Sequence, residues 1–505
     1  MKKLPIGISS FEEIRTEGYY YVDKTHFVKK LVDEGKYYFL SRPRRFGKSL
    51  FVDTLKSAFE GKRELFTGLY LENNWNWNQN YPVVRISFDQ GKIRSSNELE
   101  EYIKADIKFW SKIYEIDITE KIYYKSFFEL VYKIYQKTRK KVVLLVDEYD
   151  KPILDNIEKK ETAAEIREVL KGFYQTIKGI DQYLKFVFIT GISKFAKISL
   201  FSGLNQLEDI SLNQEYGDLC GYTEKELLLT FGERIKEQEI EGIRNWYNGY
   251  WWLSSKIYNP FDVLLYLKNK SYSSYWYETG NPEVLIKLIK HNKYEIPNLE
   301  LMLSEEDLNR VDVDKISIEA LMFQTGYLTI HKVKEEYSRK FYKLKFPNKE
   351  VQISFNENLL REFLKDWKGE DSEINPLRKA LENFDTQEIE FRINKLLENI
   401  PYDLYGNDEK SIKSFLYVYL YSTGFECNAE LHTKLGRIDI ILKTPNKKIY
   451  IFEIKIDKDE EKALKQIKNK EYYAKYTLEE NVIICGMNFN TKKRKMYYMW
   501  ETIYR

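Results

Sequence analysis

Cysteine is scarce in this chain, with 3 in 505 residues, at Cys220, Cys427 and Cys485. Three cysteines so far apart build neither a disulfide framework nor a paired zinc site, and they agree with a reducing compartment. Histidine is also rare: His26, His291, His331 and His432 show no ligand spacing, which argues against a histidine-based metal centre. Only 11 prolines and 23 glycines argue against long disordered linkers. No apolar run approaches the roughly 18 residues that a membrane span needs. Met1-Lys2-Lys3 leads into a mixed polar segment rather than the apolar core of a signal peptide, so a cytoplasmic location and no membrane partner are expected. Charge of one sign is lacking as well. The 81 Lys and Arg stand against 78 Asp and Glu, a balance of +3. Any nucleic-acid contact must therefore come from local patches, such as Lys137-Thr138-Arg139-Lys140-Lys141 and Lys492-Lys493-Arg494-Lys495.

What is present allows two or three domains with sizeable cores, given the length and a hydrophobic content of 43%. The 41 tyrosines, beside many lysines, read as compositional bias rather than chemistry. The most informative segment runs from Tyr37 to Ser49. An apolar strand enters a tight turn, and Gly47-Lys48-Ser49 then opens a helix expected over Leu50 to Glu60. That is P-loop geometry, in which backbone N–H groups and a helix N-terminus hold phosphate oxygens. Lys48 would reach the β- and γ-phosphates and the Ser49 hydroxyl would ligate Mg²⁺. The strict pattern wants glycine five residues before Gly47, where this chain has Arg42.

A second segment, Lys141 to Asp150, is an apolar run ending in Asp147 and Glu148. Continuous rather than alternating apolar residues suit a strand covered on both faces. Asp147 would hold the Mg²⁺ through water or a hydroxyl, and Glu148 would orient or deprotonate the attacking water. A third strand, Leu184 to Gly191, ends in Thr190, expected to sense the γ-phosphate beside the carboxylates. Pro82 to Phe88 reads as a further strand, and Glu98–Lys112, Lys125–Lys137 and Thr162–Lys178 as helices. This alternation predicts an α/β parallel sheet with its ligand at the C-terminal strand edge.

Tyr21-Val22-Asp23-Lys24-Thr25 and Arg42-Pro43-Arg44-Arg45-Phe46-Gly47-Lys48-Ser49 together resemble the AAA-ATPase-like family of prokaryotic proteins. Val146-Asp147-Glu148-Tyr149-Asp150, Thr190-Gly191, Trp246-Tyr247-Asn248-Gly249-Tyr250, Tyr258-Asn259-Pro260-Phe261 and Trp276-Tyr277-Glu278-Thr279-Gly280 extend the resemblance from about Leu4 to Gly280. It implies that Arg42 is the family's own P-loop variant, that ATP is the nucleotide, and that the chain closes in a nuclease-like domain of the PD-(D/E)XK superfamily. Arg42 and Arg45 are expected on the nucleotide. At least one of Arg42, Arg44 and Arg45 is expected to serve a different anion, either a nucleic-acid phosphate or, in a homo-oligomer, a neighbouring protomer's nucleotide.

Three domains are expected: a P-loop domain over 1–214, a helical, aromatic-rich middle region over 215–375, and a small α/β restriction-endonuclease-like domain over 380–505. Thr223 and Glu226 are spaced as a capping box. The aromatic cluster from Trp246 to Trp252 reads as helix packing, with a base-stacking platform as the alternative. In the last domain, helices are expected over Thr386–Asn399, Glu409–Ser422 and Glu461–Tyr476. Strands are expected over Phe425–Glu430, Arg437–Leu442, Lys448–Ile456 and Asn481–Gly486. Asp439, followed by Glu453-Ile454-Lys455 fourteen residues later, has the spacing of that superfamily's site. A hairpin brings Asp439 opposite Glu453, and period-two alternation sets Glu453 and Lys455 on one face. Two carboxylates then hold Mg²⁺ or Mn²⁺, and Lys455 positions the water or neutralises the transition state. Gln466, Lys470 and Tyr473 are expected on one face of the adjoining helix. Glu409 and Glu430 flank the set. The leading expectation is an ATPase coupled to metal-dependent cleavage of nucleic acid. The alternative is a nucleotide-dependent switch whose C-terminal domain binds a partner without cutting.

Overall fold

The computed structural model describes residues 1–194, 200–201, 204, 206–279, 285–286, 302–309, 311–312, 315–363, 370–400, 409–433, 436–476 and 481–503. The chain forms two compact units, Met1–Gly280 with Met302–Asn348, and Asn281–Leu301 with Lys349–Arg505. Of the stretch 215–375, residues 215–280 and 302–348 fall in the first unit and 281–301 and 349–375 in the second.

The first unit opens with helices α1 (Phe11–Thr16) and α2 (Thr25–Glu34), strand β1 (Tyr37–Ser41) and helix α3 (Lys48–Phe59). Next come β2 (Val83–Ser87), α4 (Ser96–Ile113), α5 (Tyr123–Thr138), β3 (Val142–Asp147), α6 (Lys151–Leu154), α7 (Lys160–Gly179), β4 (Leu184–Gly191) and β5 (Glu208–Asp209). The sheet order is β2-β3-β4-β1-β5, and every pairing is parallel. Its central strands are buried on both faces; every residue of β1 and β3 is buried, which is why their apolar runs do not alternate. The order interposes β4 between β1 and β3, so Thr190 stands between the P-loop and Asp147.

The rest of this unit is helices with two small antiparallel sheets. One contains β6 (Tyr222–Thr223), β7 (Tyr250–Trp251) and β8 (Lys256–Tyr258), with β8 central. The other contains β9 (Met302–Ser304), β12 (Thr329–Glu336) and β13 (Arg339–Lys345), while β10 (Val311–Asp312) and β11 (Lys315–Ile316) form a separate ribbon. The Thr223–Glu226 capping box is present at the start of the helix Glu224–Phe231.

In the second unit, strands β14 (Glu426–Thr433), β15 (Gly436–Lys443), β16 (Ile449–Ile456), β17 (Val482–Asn490) and β18 (Lys495–Ile503) lie side by side in that order. Only β16 and β17 are parallel, because the helix Glu460–Asn469 crosses between them. The core under this helix is aliphatic: Ile438, Ile451, Ile467, Val482 and Ile484 are all fully buried. Strand β18 is not among the expected strands; its sequence KMYYMWETI shows no period-two alternation of polar and apolar residues. The expected helix over Glu461–Tyr476 stops at Asn469. Glu471 turns the backbone to φ +46°, so Tyr473 lies in the turns beyond the helix and does not share a helical face with Gln466.

Candidate functional sites

The turn after β1 is set by two residues with positive φ, Arg45 at +66° and Gly47 at +93°. Glycine takes this conformation without a Cβ clash. As N-cap of α3 it offers no side chain to the first turn, so the orphan N–H groups there remain available to an anion. The loop is backed by aromatic residues from beyond the parallel sheet. Phe46 packs edge-on against Tyr250 and Trp252 at 4.7 and 5.4 Å, and Trp276 Nε1 donates to the Arg44 carbonyl at 3.0 Å. Tyr250 and Trp252 therefore serve as packing under the loop, the first of the two roles considered for that cluster.

Lys48 is buried and donates to the carbonyl oxygens of Arg42 and Pro43 at 2.8 and 2.9 Å. Burial pulls its pKa down, against the pull of Glu148 and Asp147. Beside it lies a cavity of about 580 Å³, lined on its charged side by Arg44, Arg45, Lys48, Ser49 and Glu148. Pro5, Ile8, Val22, Phe261 and Leu264 line it with apolar surface. The volume and the mixed lining are those of a small-molecule site. Glu148 sits at φ +53°, the kind of local strain that collects at functional sites. Its pKa is raised by burial, with Lys48 opposing and Asp147 adding to the rise.

Asp147 is fully buried behind this wall. Its Oδ1 accepts from the Thr190 hydroxyl at 2.6 Å and its Oδ2 from Arg85 at 3.3 Å. Arg85 also reaches Asp53 of α3 at 3.1 Å. Sequence reasoning missed Arg85, although it is the one charge in an otherwise apolar strand. Lys24 was missed too. It lines the cavity and is pinned by both Glu226 oxygens, at 2.6 and 2.7 Å. Asp150 is committed elsewhere, accepting from Ser193 N at 2.6 Å and from Ser193 Oγ at 2.5 Å.

The expectation for Arg42 needs correction. Its guanidinium is 1% exposed and points away from the cavity. It donates to the carbonyls of Ser41, Ser211 and Tyr216 at 2.9, 2.8 and 3.2 Å and stacks over Trp252 at 4.5 Å. Five donors in a planar fork suit such backbone carbonyls, so Arg42 ties the P-loop to the β5 edge. Arg45 does face the cavity, with its guanidinium 4.9 Å from the Phe261 ring centroid.

In the second unit the register Ile440–Phe452 sets Asp439 opposite Glu453 one step further along the hairpin. Both are buried, at 4% and 1% exposure. Asp439 Oδ2 accepts from Ile454 N at 2.8 Å, and Oδ1 from Lys413 Nζ at 2.6 Å. Glu453 Oε1 accepts from Lys455 Nζ at 2.8 Å and from Gln466 Nε2. Glu453 Oε2 has no hydrogen-bond partner among the described residues. Burial, and after it the charge of Asp439, push the Glu453 carboxyl up to about 7. The Glu430 side chain is not among those described, so its expected place beside Asp439 lies outside what the structure describes.

These donors fit a hard divalent cation. A buried carboxylate oxygen without a hydrogen bond is costly, and a cation removes that cost. Two carboxylates can hold such an ion with waters completing its shell. Lys413, on the helix Glu409–Tyr421, was not anticipated, because nothing in its local sequence marks it. Of the two basic runs, Lys137 is paired with Glu115 at 3.0 Å, while Lys492 and Lys493 are exposed in the β17–β18 turn. No described helix is long and apolar enough to cross a membrane.

Comparison with known proteins gives a family match for each end of the chain. Residues 5–201 match the family model described as a predicted AAA-ATPase, and residues 407–499 match that of the PD-(D/E)XK nuclease superfamily. An "Uncharacterized protein in vnfD 5'region" of Azotobacter chroococcum mcd 1 is 40% identical over 505 residues, covering 98% of each chain.

Proposed function

We propose, on the premise that this chain belongs to the predicted AAA-ATPase family and ends in a PD-(D/E)XK nuclease-superfamily domain, that it hydrolyses ATP in its first unit and cuts phosphodiester bonds in its second, the nucleotide state gating the cut. The observation that carries this reading is Glu453 Oε2, a buried carboxylate oxygen without a hydrogen-bond partner among the described residues, beside a second buried carboxylate. A module that only docks a partner has no need of such a group.

In the first unit Lys48 and the free N–H groups at the start of α3 bind the terminal phosphates, and Arg45 faces them from the cavity rim. Glu148 accepts a proton from the attacking water. Burial raises its pKa, and a raised pKa makes a carboxylate a stronger proton acceptor. Thr190 holds Asp147 in place. Ser49 with Asp147, and Asp439 with Glu453, are the residues that would hold Mg²⁺ or Mn²⁺. When bound, the ion supplies charge neutralisation at phosphate and an acidified water. Gln466 and Lys455 orient Glu453, and Lys455 offers a cation to the developing charge on the phosphate. The exposed Lys492 and Lys493 are the best remaining contacts for a nucleic-acid backbone.

One observation favours the second reading, a switch without cleavage: Asp439 is already neutralised by Lys413. Incubation of single- and double-stranded DNA and RNA with the protein and Mg²⁺ or Mn²⁺, with and without ATP, separates the two. Cleavage that vanishes in Asp439→Asn is expected. In parallel, Glu148→Gln is expected to retain ATP and lose turnover by about 10²- to 10⁴-fold. Absence of cleavage on every substrate, with metal bound, would leave the switch.

A further inference from the structure

Three of the four carboxylate oxygens of Asp439 and Glu453 already have donors. A divalent cation shared by the two groups must take an oxygen from Asp439. The Ile454 N–H on Oδ2 is a backbone donor fixed in β16 and stays at that oxygen. The Lys413 ammonium on Oδ1, at 2.6 Å, is carried on a flexible four-carbon stem and can. Two cations on one carboxylate oxygen repel each other, so metal and ammonium compete for it.

Lys413 also has a second seat. Its Nζ lies 2.7 Å from Glu409 Oε1, one helical turn back, and the Glu409 side chain is 36% exposed, whereas that of Asp439 is 5% exposed. A lysine leaving Asp439 therefore keeps a counter-ion and moves toward solvent. The charges in the cluster point the same way. Three carboxylates, Asp439, Glu453 and Glu409, face two ammonium groups, Lys413 and Lys455. With Lys413 on Glu409, Asp439 and Glu453 face Lys455 alone, which leaves net negative charge for a cation.

We propose that Lys413 is an electrostatic latch. It holds Asp439 while no metal is present, and a divalent cation enters by driving it across to Glu409, so that Lys413 sets the metal concentration at which the site fills. This rests on the reading that Asp439 and Glu453 hold a metal, and the test separates the two claims.

Mn²⁺ binding to the full-length, nucleotide-free protein is measured by calorimetry and by the shift in melting temperature. The part of the signal abolished by Asp439→Asn defines the site. If wild type and Asp439→Asn give the same isotherm, the metal reading fails, and the latch with it. If they differ, Lys413→Met is expected to bind Mn²⁺ on the order of 10-fold more tightly, because one partly screened like charge at contact distance is gone. Glu409→Gln removes the second seat and is expected to bind several-fold more weakly. This exposed change is not expected to impair folding, so it tests the latch even where Lys413→Met does not fold. Weaker or unchanged binding in Lys413→Met, or unchanged or tighter binding in Glu409→Gln, would overturn the proposal in favour of a lysine that merely supports Asp439.

Discussion

Replacing Lys48 by methionine keeps the buried stem and removes the ammonium that donates to the Arg42 and Pro43 carbonyls at 2.8 and 2.9 Å. Those two bonds change the size of the expected effect. A hydrogen bond from a charged donor contributes about 1.5–3 kcal/mol net, and contacts with phosphate lie toward the upper end. Nucleotide binding exchanges two carbonyl bonds, together about 3 kcal/mol, for two phosphate bonds, together about 6 kcal/mol. The net gain is about 3 kcal/mol, so Lys48→Met should weaken ATP binding by roughly 100-fold. Ignoring the exchange would predict roughly 10⁴-fold. The nucleotide-free protein should change little in stability. It loses the two carbonyl bonds, but it also loses the desolvation cost of a buried cation that has no carboxylate at ion-pair distance among the described residues, and these effects oppose each other. Calorimetry with ATP and Mg²⁺ and a denaturant melt measure both quantities. Affinity within threefold of the parent would refute the assignment of Lys48 to the phosphates. A loss near 10⁴-fold would instead show that the carbonyl bonds are not exchanged.

Two further outcomes concern the second unit. The Glu453 carboxyl is raised from its ordinary 4.5 to about 7. Between those values the folded state therefore holds more protons than the unfolded one, and stability is fully present below about 4.5 and lost as pH rises through about 7. The metal-free protein should lose up to about 3 kcal/mol over that range, a slope absent from Glu453→Gln. Mn²⁺ binding should release a proton at pH 6 and not at pH 8, read from calorimetry in buffers of different ionisation heat. A stability that is flat from pH 5 to 8 would remove the claim. Gly486→Ala would set a Cβ 2.3 Å from the Glu460 carbonyl oxygen and 2.5 Å from Leu464 N. These are backbone atoms of the helix that carries Gln466, so the helix must move. A loss of about 2–3 kcal/mol is expected, together with weaker Mn²⁺ binding as Gln466 leaves Glu453; a melting temperature equal to the parent's would contradict the close approach.

The sequence by itself determined the features that depend on neighbours along the chain. The runs at Tyr37–Ser41, Val142–Asp147 and Leu184–Gly191 are apolar without alternation, and this marks buried parallel strands whatever surrounds them. Gly47-Lys48-Ser49 sets a helix N-terminus, and the spacing from Asp439 to Glu453 across a short hairpin sets two carboxylates side by side. Tertiary structure alone decided what each charge faces. Arg42 turns inward because the fold brings the Ser211 and Tyr216 carbonyls, about 170 residues away in sequence, within reach of its guanidinium. Arg85 meets Asp147 because β2 lies beside β3, and Lys413 meets Asp439 because the helix Glu409–Tyr421 packs on that sheet. Long flexible cations choose partners by the local balance of desolvation and Coulomb attraction. That balance exists only once the partners have been brought together, so no pattern within a short stretch of sequence records it.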